Sequence, residues 1–431
     1  MITAKAFAGS HYAVYGLARS GLATAEALLA SGAKVTAWDA KEEARTKAPI
    51  GTRIANLDEA DLSQFDTLVV TPGLPLNRHP IAKRAREARI EIIGDIELFA
   101  RARSELPPHR VVGITGTNGK STTTALVHHI LKTARVPAAM GGNIGLPILA
   151  QDPLPEGGIY VLELSSYQID LTRSLDCDVA VLLNITPDHL DRYDSFEAYA
   201  ASKARLFELQ SSDREAVIAE DDEQTRTIAA HLARVGYWHG NTLVSVSRAD
   251  VQDQSRLPTL QGPHNAQNIA CAMAACRQLG ITFAAIVKGL ETYPGLPHRM
   301  ERVHQKKGVT FVNDSKATNP TAAGPALAAF ESIRWICGGQ AKTDNLDECQ
   351  PYLGHVRSAY TIGEAAELFE RLLSPFVPVK NCHELAHAVR EAAQDAEAGD
   401  TVLLSPACAS FDQFRDFEDR GYQFRELVGA L

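Results

Sequence analysis

Short runs rich in β-branched residues alternate with alanine- and leucine-rich helical stretches along nearly the whole chain, and this alternation restricts the fold more than any other feature. A strand covered on both faces reads as an uninterrupted apolar run, and helices make the crossovers between parallel neighbours. The pattern therefore predicts an α/β protein. Its first cycle is a strand at 12–15, a glycine turn, a helix over about 20–30 and a strand at Lys34–Trp38. A further strand, Thr67–Val70, stops at Thr71-Pro72-Gly73.

A chain of 431 residues exceeds what one core usually organises. Leu106-Pro107-Pro108-His109 cannot continue a helix and leads into a fresh strand at 110–114. Tyr293-Pro294-Gly295-Leu296-Pro297 reads as a second linker, with a new strand, Val309–Asn313, beyond it. Three domains are expected, at 1–98, 99–297 and 298–431. No internal repeat or low-complexity segment is visible.

The longest apolar runs, such as 179–183, fall far short of the roughly 18 to 20 residues that span a bilayer, so no membrane span is expected. Residues 1–10 lack the apolar stretch of a secretory leader, which points to the cytoplasm. The seven cysteines are scattered without C-x-x-C spacing and read as reduced thiols. A net charge of −9 argues against general nucleic-acid binding and requires local basic groups for any anionic substrate.

The most informative stretch is Val111-Val112-Gly113-Ile114-Thr115-Gly116-Thr117-Asn118-Gly119-Lys120-Ser121-Thr122: a buried strand, a glycine-rich turn and a helix start. Glycines let backbone N–H groups converge on phosphate oxygens, Lys120 neutralises outer phosphates and the Ser121 hydroxyl can ligate Mg²⁺. The first glycine stands one position early, at Gly113, and a glycine turn with a solvated lysine is the competing reading. A second buried strand brings Glu163 to its C-terminal end, where open parallel sheets place ligands; Glu163 is a candidate Mg²⁺ ligand or half of an internal salt bridge. The apolar run 178–183 leads into a polar loop holding His189, a candidate metal ligand or a hydrogen-bonded surface histidine. The helix over about 196–209 carries Lys203, which by itself reads as a solvated lysine. In the first domain, Gly16-Leu17-Ala18-Arg19-Ser20-Gly21, with Asp39 ending the next strand, has the outline of a dinucleotide turn whose third glycine is out of register.

Together these segments resemble the Mur ligases over essentially the whole chain. The resemblance rests on 115–122, on Gly141-Gly142-Asn143-Ile144-Gly145 and Glu163-Leu164-Ser165-Ser166-Tyr167-Gln168, on 184–193, and on His264-Asn265-Ala266-Gln267-Asn268. In the third domain it rests on Leu296-Pro297-His298-Arg299, Asn313-Asp314-Ser315-Lys316-Ala317-Thr318-Asn319 and 404–414, the last two pointing to the glutamate-adding member. The resemblance implies an N-terminal Rossmann-like uridine-nucleotide domain, a central P-loop ATPase-like parallel-sheet domain and a C-terminal Rossmann-like domain. It implies ligation of D-glutamate to UDP-N-acetylmuramoyl-L-alanine through an acyl phosphate, for peptidoglycan precursor synthesis, by a monomer using ATP and two Mg²⁺ ions or Mn²⁺.

By the same resemblance Gly116, Thr117, Asn118, Gly119, Lys120, Ser121, Thr122, Asn268, Arg299 and Asp314 bind ATP. Ser121 and Glu163 hold one metal ion, and His189 with a carbamylated Lys203 the other; Lys120, Glu163, His189 and Lys203 are the implied catalytic set. Arg19, Ser20, Asp39, Lys41, Thr71, Gly73, Asn143 and His189 surround the uridine-linked substrate, and Lys316, Thr318, Lys342, Ser410, Phe411 and Phe417 the glutamate. Relatives carry an acidic residue just before the lysine corresponding to Lys342, whereas Gly338-Gly339-Gln340-Ala341 has none, which leaves the role of Lys342 open. Two competing functions are a folylpolyglutamate synthase-like glutamate ligase and a P-loop ATPase without ligase activity; the first lacks a uridine-binding domain before the ATP loop, and the second leaves Lys203 and the C-terminal motifs unexplained.

Overall fold

Three open sheets account for the apolar runs of the sequence. The structure, a computed structural model, describes residues 1–188, 192–236 and 240–431. The first sheet is parallel and holds β1 (His11–Tyr15), β2 (Lys34–Trp38), β3 (Arg53–Ile54), β4 (Thr67–Val70) and β5 (Glu91–Ile93) in the order β3-β2-β1-β4-β5. The second, also parallel, holds β6 (His109–Thr115), β7 (Ala138–Gly142), β8 (Gly158–Glu163), β9 (Val179–Leu182), β10 (Glu215–Ala219) and β11 (Thr242–Val246) in the order β11-β10-β9-β6-β8-β7. The third holds β12 (Glu301–Lys306), β13 (Val309–Asn313), β14 (Ile333–Gly338), β15 (Val356–Ile362), β16 (Val379–His383) and β17 (Thr401–Leu404) in the order β12-β13-β17-β14-β15-β16. Its edge strand β12 runs antiparallel to β13, and the other pairs are parallel. The expected α/β class with three sheet domains is what forms.

Strand bounds follow the apolar runs closely. Lys34–Trp38, Thr67–Val70 and Val309–Asn313 form as expected, and the helix expected over 196–209 runs Phe196–Glu208 from a Ser195 cap whose side chain accepts from Ala198 N. The seven cysteines are free and buried. No helix among the described residues is long and apolar enough to cross a membrane.

The chain forms two compact units: Met1–Arg256 with Pro263–Tyr293, holding the first two sheets, and Leu257–Gly262 with Pro294–Leu431, holding the third. Residue 98 lies within the helix Asp95–Ala102, around which the core of the first unit is continuous, from Val14 and Val35 through Leu98 and Phe99 to Val111, Tyr160 and Leu182. Phe99 meets Tyr160 edge-on at 5.0 Å between centroids. Glu97, 1% exposed, accepts from Arg101 Nε at 2.8 Å, Arg173 N at 2.7 Å and both N and Oγ of Ser174 at 2.9 Å. Burial alone would raise its pKa, but these donors hold the carboxyl below its ordinary value.

In each parallel sheet the chain changes direction beside the strand that feeds a glycine turn. In the first, β1 lies between β2 and β4; in the second, β6 lies between β8 and β9. Such switch points open a crevice at the carboxyl ends of the strands, where ligands bind. The turn after β1 is closely packed: a Cβ on Gly21 would overlap the Gly16 carbonyl, whereas one on Gly9, just before β1, meets nothing within 4 Å. Gly21→Ala should therefore lower stability by about 2 kcal/mol or more, and Gly9→Ala by only about 1 kcal/mol, the ordinary cost of a left-handed residue. Thermal denaturation followed by circular dichroism measures both.

Candidate active site

The turn between β6 and the helix Lys120–Thr133 is built from backbone that only glycine adopts easily. Gly116 has φ +152° and Gly119 φ +84°, and a Cβ on Gly119 would overlap Asn268 Oδ1. The loop is fixed from the side by Asn184, just beyond β9. Thr117 N donates to Asn184 O and Asn118 N to Asn184 Oδ1, both at 2.8 Å, while Asn184 Nδ2 donates to Asn118 O at 3.1 Å. Asn184 is held in turn: Nδ2 also donates to Gln267 Oε1 at 2.7 Å, and Gln267 Nε2 donates to Asp221 Oδ2 at 2.8 Å. This chain leaves the helix N-terminus, with Ser121 and Thr122 in its first turn, facing the site with its N–H groups and positive potential.

Two lysines converge on one carbonyl of that loop. Lys120 Nζ donates to Gly116 O at 2.9 Å and Thr117 O at 2.7 Å, and Lys203 Nζ donates to Gly116 O at 2.9 Å. Lys203, expected from its segment alone to be solvated, is 1% exposed, with its ammonium 4.6 Å above the Tyr199 ring. Burial, and then the charge of Lys120, pull its pKa down to about 7. Tyr199 is itself anchored through its hydroxyl to Thr117 Oγ1 at 3.1 Å.

Glu163, ending β8, is 2% exposed. Its Oε1 accepts from Asn143 Nδ2 at 2.9 Å and its Oε2 is buried without a hydrogen-bond partner, so no salt bridge explains it. An unsatisfied buried carboxylate oxygen is costly unless a cation binds it. The described residues contain no group of three or more His, Cys, Asp and Glu that could hold a metal ion. The single Glu163 carboxylate, with one oxygen left without a partner, fits Mg²⁺, which is usually held by one or two carboxylates together with substrate phosphates and water. His189 lies outside the described residues.

At the first sheet, Asp39 secures the glycine turn: its Oδ2 accepts from Leu17 N at 2.7 Å and its Oδ1 from Lys41 N at 2.9 Å. Thr71 caps Gly16, whose Cβ would overlap the Thr71 hydroxyl. Arg19, exposed at the start of the helix Arg19–Ala30, donates through Nη2 to Gly145 O at 2.9 Å. Arg192 donates to the carbonyls of Pro72, Gly73 and Leu74 at 3.4, 3.3 and 2.8 Å, and lies 4.2 Å over the Tyr167 ring. Of the groups expected around a uridine-linked substrate, Ser20 and Thr71 line one small cavity at this turn and Asp39 binds the turn's backbone, whereas Asn143 stands at Glu163.

In the second unit, the ends of β13 and β17 lie side by side. Asp314, 5% exposed, accepts from Ser405 Oγ at 2.8 Å and Met300 N at 3.1 Å, and burial pushes its pKa up to about 6. Arg299 has a buried Nε without a partner and stands between two non-glycine residues in the left-handed region, His298 at φ +61° and Met300 at φ +48°. Such strain persists where surrounding bonds fix it, and here Lys316 N donates to His298 O at 2.9 Å. Lys316 Nζ lies 5.6 Å from the Phe417 ring centre; Thr318 N donates to Lys316 O at 2.9 Å. Ser410 is buried, while Lys342 and Phe411 are exposed.

The description Mur ligase MurD-like, N-terminal domain, matches residues 10–94, Mur ligase middle domain 114–276, and Mur ligase, glutamate ligase domain, 298–408. The chain belongs to the Mur ligase family. A relative from Sphingopyxis alaskensis, named UDP-N-acetylmuramoylalanine--D-glutamate ligase, is 60% identical over 437 residues, covering 100% of each chain. One of the same name from Novosphingobium aromaticivorans is 59% identical, covering 100% of this chain and 97% of the relative. The Mur ligase fold is also seen in UDP-N-acetylmuramate-alanine ligase MurC from Thermotoga maritima (TM-score 0.61, 18% identity, 98% and 99% covered). E. coli FolC, in complex with DHPP and ADP, shares the fold over 78% of this chain and 93% of its own (TM-score 0.56, 20% identity).

Sequence reasoning missed the residue that organises the second-unit loops of this Mur ligase. Arg420, in the helix Phe417–Gly429, is 0% exposed and donates to Ser315 Oγ at 3.0 Å, Ser315 O at 2.9 Å, Cys408 O at 3.0 Å and Ala409 O at 3.3 Å. Burial lowers its pKa to about 10, still charged at neutral pH. An arginine amid polar helix residues carries no local mark of burial. Arg420→Met keeps the length but leaves those acceptors without their donor, and should cost about 2–4 kcal/mol in thermal or urea unfolding.

Proposed function

We propose that this Mur ligase is a UDP-N-acetylmuramoylalanine--D-glutamate ligase: it uses ATP to join D-glutamate to UDP-N-acetylmuramoyl-L-alanine in peptidoglycan precursor synthesis. The full-length likeness to relatives bearing that name carries this reading. We assign the uridine-linked substrate to residues 1–98, ATP to 99–297 and the amino acid to 298–431. We take the enzyme to act as a monomer and place it in the cytoplasm, where ATP and nucleotide-linked precursors are found.

Amide formation from a carboxylate and an ammonium ion is uphill in water, so the substrate carboxylate must gain a leaving group. In the proposed reaction it attacks the γ-phosphorus, expels ADP and becomes an acyl phosphate; the deprotonated amine of glutamate then attacks the acyl carbon and expels phosphate. Lys120 and the N–H groups from Gly116 to Thr122 clamp the phosphates, with Asn268 beside Gly119. In the second unit Arg299 and Asp314 are assigned to nucleotide binding, and Lys316, Thr318, Lys342, Ser410, Phe411 and Phe417 to glutamate. Arg19, Ser20, Asp39, Lys41, Thr71, Gly73, Asn143 and His189 are assigned to the uridine-linked substrate. Ser121 and Glu163 would hold one Mg²⁺, and His189 with Lys203 a second; the ions would screen the anionic nucleophile from the γ-phosphate.

Lys203 can serve only as a carbamate, because an ammonium repels Mg²⁺. A neutral amine adds CO₂ to give –NH–COO⁻ and a proton, and the burial of Lys203 supplies that neutral amine near neutral pH. A folylpolyglutamate synthase-like activity is the second reading, favoured only by the shared fold with E. coli FolC.

Phosphate release is expected only when ATP, UDP-N-acetylmuramoyl-L-alanine and D-glutamate are all present, with L-glutamate inert; turnover without an amino acid would mark an ATPase instead. Lys120→Ala and Lys203→Arg should each lower kcat by about 10²-fold or more while the protein stays folded, a loss equivalent to one preorganised electrostatic group. Because a proton competes with CO₂ for the Lys203 amine, recovery of CO₂-depleted enzyme on adding bicarbonate should be strong at pH 8. It should weaken as pH falls through about 7. Recovery that is equal at pH 6 and pH 8 would return Lys203 to the role of a buried structural lysine.

A further inference from the structure

Beneath the glycine turn of the first sheet lies a cavity of about 10 Å³ whose lining includes Val14, Val69, Ser20, Thr24, Thr71 and Asp95. Its polar wall is made by three hydroxyl side chains and one carboxyl group. Asp95 opens the helix Asp95–Ala102, is 4% exposed, and has an Oδ1 that is buried without a hydrogen-bond partner. Burial pushes its pKa up to about 6, so at neutral pH the group is mostly a carboxylate with one unsatisfied oxygen. Such an oxygen loses its hydration on folding and must recover a donor to avoid the cost of an unmade hydrogen bond. The space is about the least that holds a single water, and a buried water needs two to four polar partners. Asp95 and the hydroxyls of Ser20, Thr24 and Thr71 supply that number.

We infer that one internal water occupies this cavity, donates to Asp95 Oδ1 and links it to the hydroxyls of Thr24, Ser20 and Thr71, which makes Asp95 a positioning residue for the uridine-linked substrate. The inference rests on the assignment of that substrate to this turn. Thr71 stands directly over Gly16, and Gly21 closes on the Gly16 carbonyl, so the turn leaves no room for Thr71 to shift toward Gly16 without moving it. Asp95 lines the same cavity as Thr71 and has no place in the proposed chemistry of the second sheet. Its effect should appear in binding of one substrate only.

A crystal structure of the whole chain at a resolution that shows ordered water should have density for one water within hydrogen-bond distance of Asp95 and at least one of the three hydroxyls; clear absence of density there refutes the bridge. Asp95→Leu fills the space and removes the acceptor, and should raise KM for UDP-N-acetylmuramoyl-L-alanine about tenfold, while kcat and KM for ATP stay within about twofold. Asp95→Asn, which can still hold a water, should stay within about threefold of wild type. Thr24→Val removes one partner without changing side-chain size and should raise the same KM about threefold, which keeps the test open if Asp95→Leu does not fold. Asp39→Ala serves as the reference for the turn itself. If it raises that KM and neither Asp95→Leu nor Thr24→Val does, the turn binds the substrate and the water link is wrong. If none of the three does, the substrate assignment falls and the positioning role with it.

Discussion

Two ammonium groups sharing one backbone carbonyl is the contact on which the central site depends. Gly116 O accepts from both Lys120 and Lys203, so the charge of each lysine raises the cost of charging the other. The arrangement exists because Gly116 lies at φ +152°, packed beside Leu183 so closely that a Cβ there would be 2.9 Å from the Leu183 Cβ. A larger residue would swing the carbonyl away and separate the two amines. The Asn184, Gln267 and Asp221 chain holds the same loop from its other side. Backbone geometry, the buried amine of Lys203 beside the partly buried one of Lys120, and a polar relay are therefore one device. It keeps Lys203 near its protonation midpoint beside the charge of Lys120.

What the sequence made legible was periodicity and local turn chemistry. Apolar runs defined strands such as Lys34–Trp38 and Val309–Asn313 to the residue, because a strand buried on both faces has no other way to be written. The glycine turn before Lys120 was legible for the same local reason. The environment of Lys203 was not: on its own helix it reads as one lysine among Ser202, Ala204 and Arg205, and only the return of the helix Phe196–Glu208 against the β6 turn buries it. Arg420 escaped notice because it bonds to other segments, to Ser315 and to Cys408, and Asp95 because the residues that line a cavity with it lie far away in sequence, around the β1 turn. Long-range hydrogen bonding leaves no periodic trace.

The placement of buried polar groups follows a common rule in the three sheets. Strand interiors are largely apolar, as in Val111, Val112, Tyr160, Val161, Ile336 and Leu403, all 0% exposed, with Thr36 and Ser358 among the buried exceptions, and the buried polar groups of the candidate site stand at carboxyl ends: Glu163 at the end of β8, Asp314 after β13, Ser405 after β17. At those ends the ladder stops and backbone groups become available to hold side chains in one orientation. Asp314, for example, takes one donor from Ser405 and one from Met300, and Thr71 is fixed by its N–H on Tyr15 O. Each sheet is thus a rigid support whose ragged edge carries chemistry.

Those edges are also where the fold is under most electrostatic tension. Glu163 Oε2 and Arg299 Nε are buried without hydrogen-bond partners, and Lys203 and Asp314 carry pKa values moved toward their neutral forms. Replacing any of them with an apolar residue of similar size would relieve a desolvation cost, so by stability alone they should not be there. Their presence makes sense if a cation meets the Glu163 oxygen and an anion meets Arg299 during turnover. A ligand that satisfies such groups binds the native chain and not the unfolded one, so each binding event stabilises the fold by RT ln(1 + [L]/Kd), about 2.7 kcal/mol at a hundredfold excess over Kd. On the proposed assignment, the free energy stored as unsatisfied polar atoms would be returned on binding substrate and metal, and the residues that weaken the free protein would order the bound state.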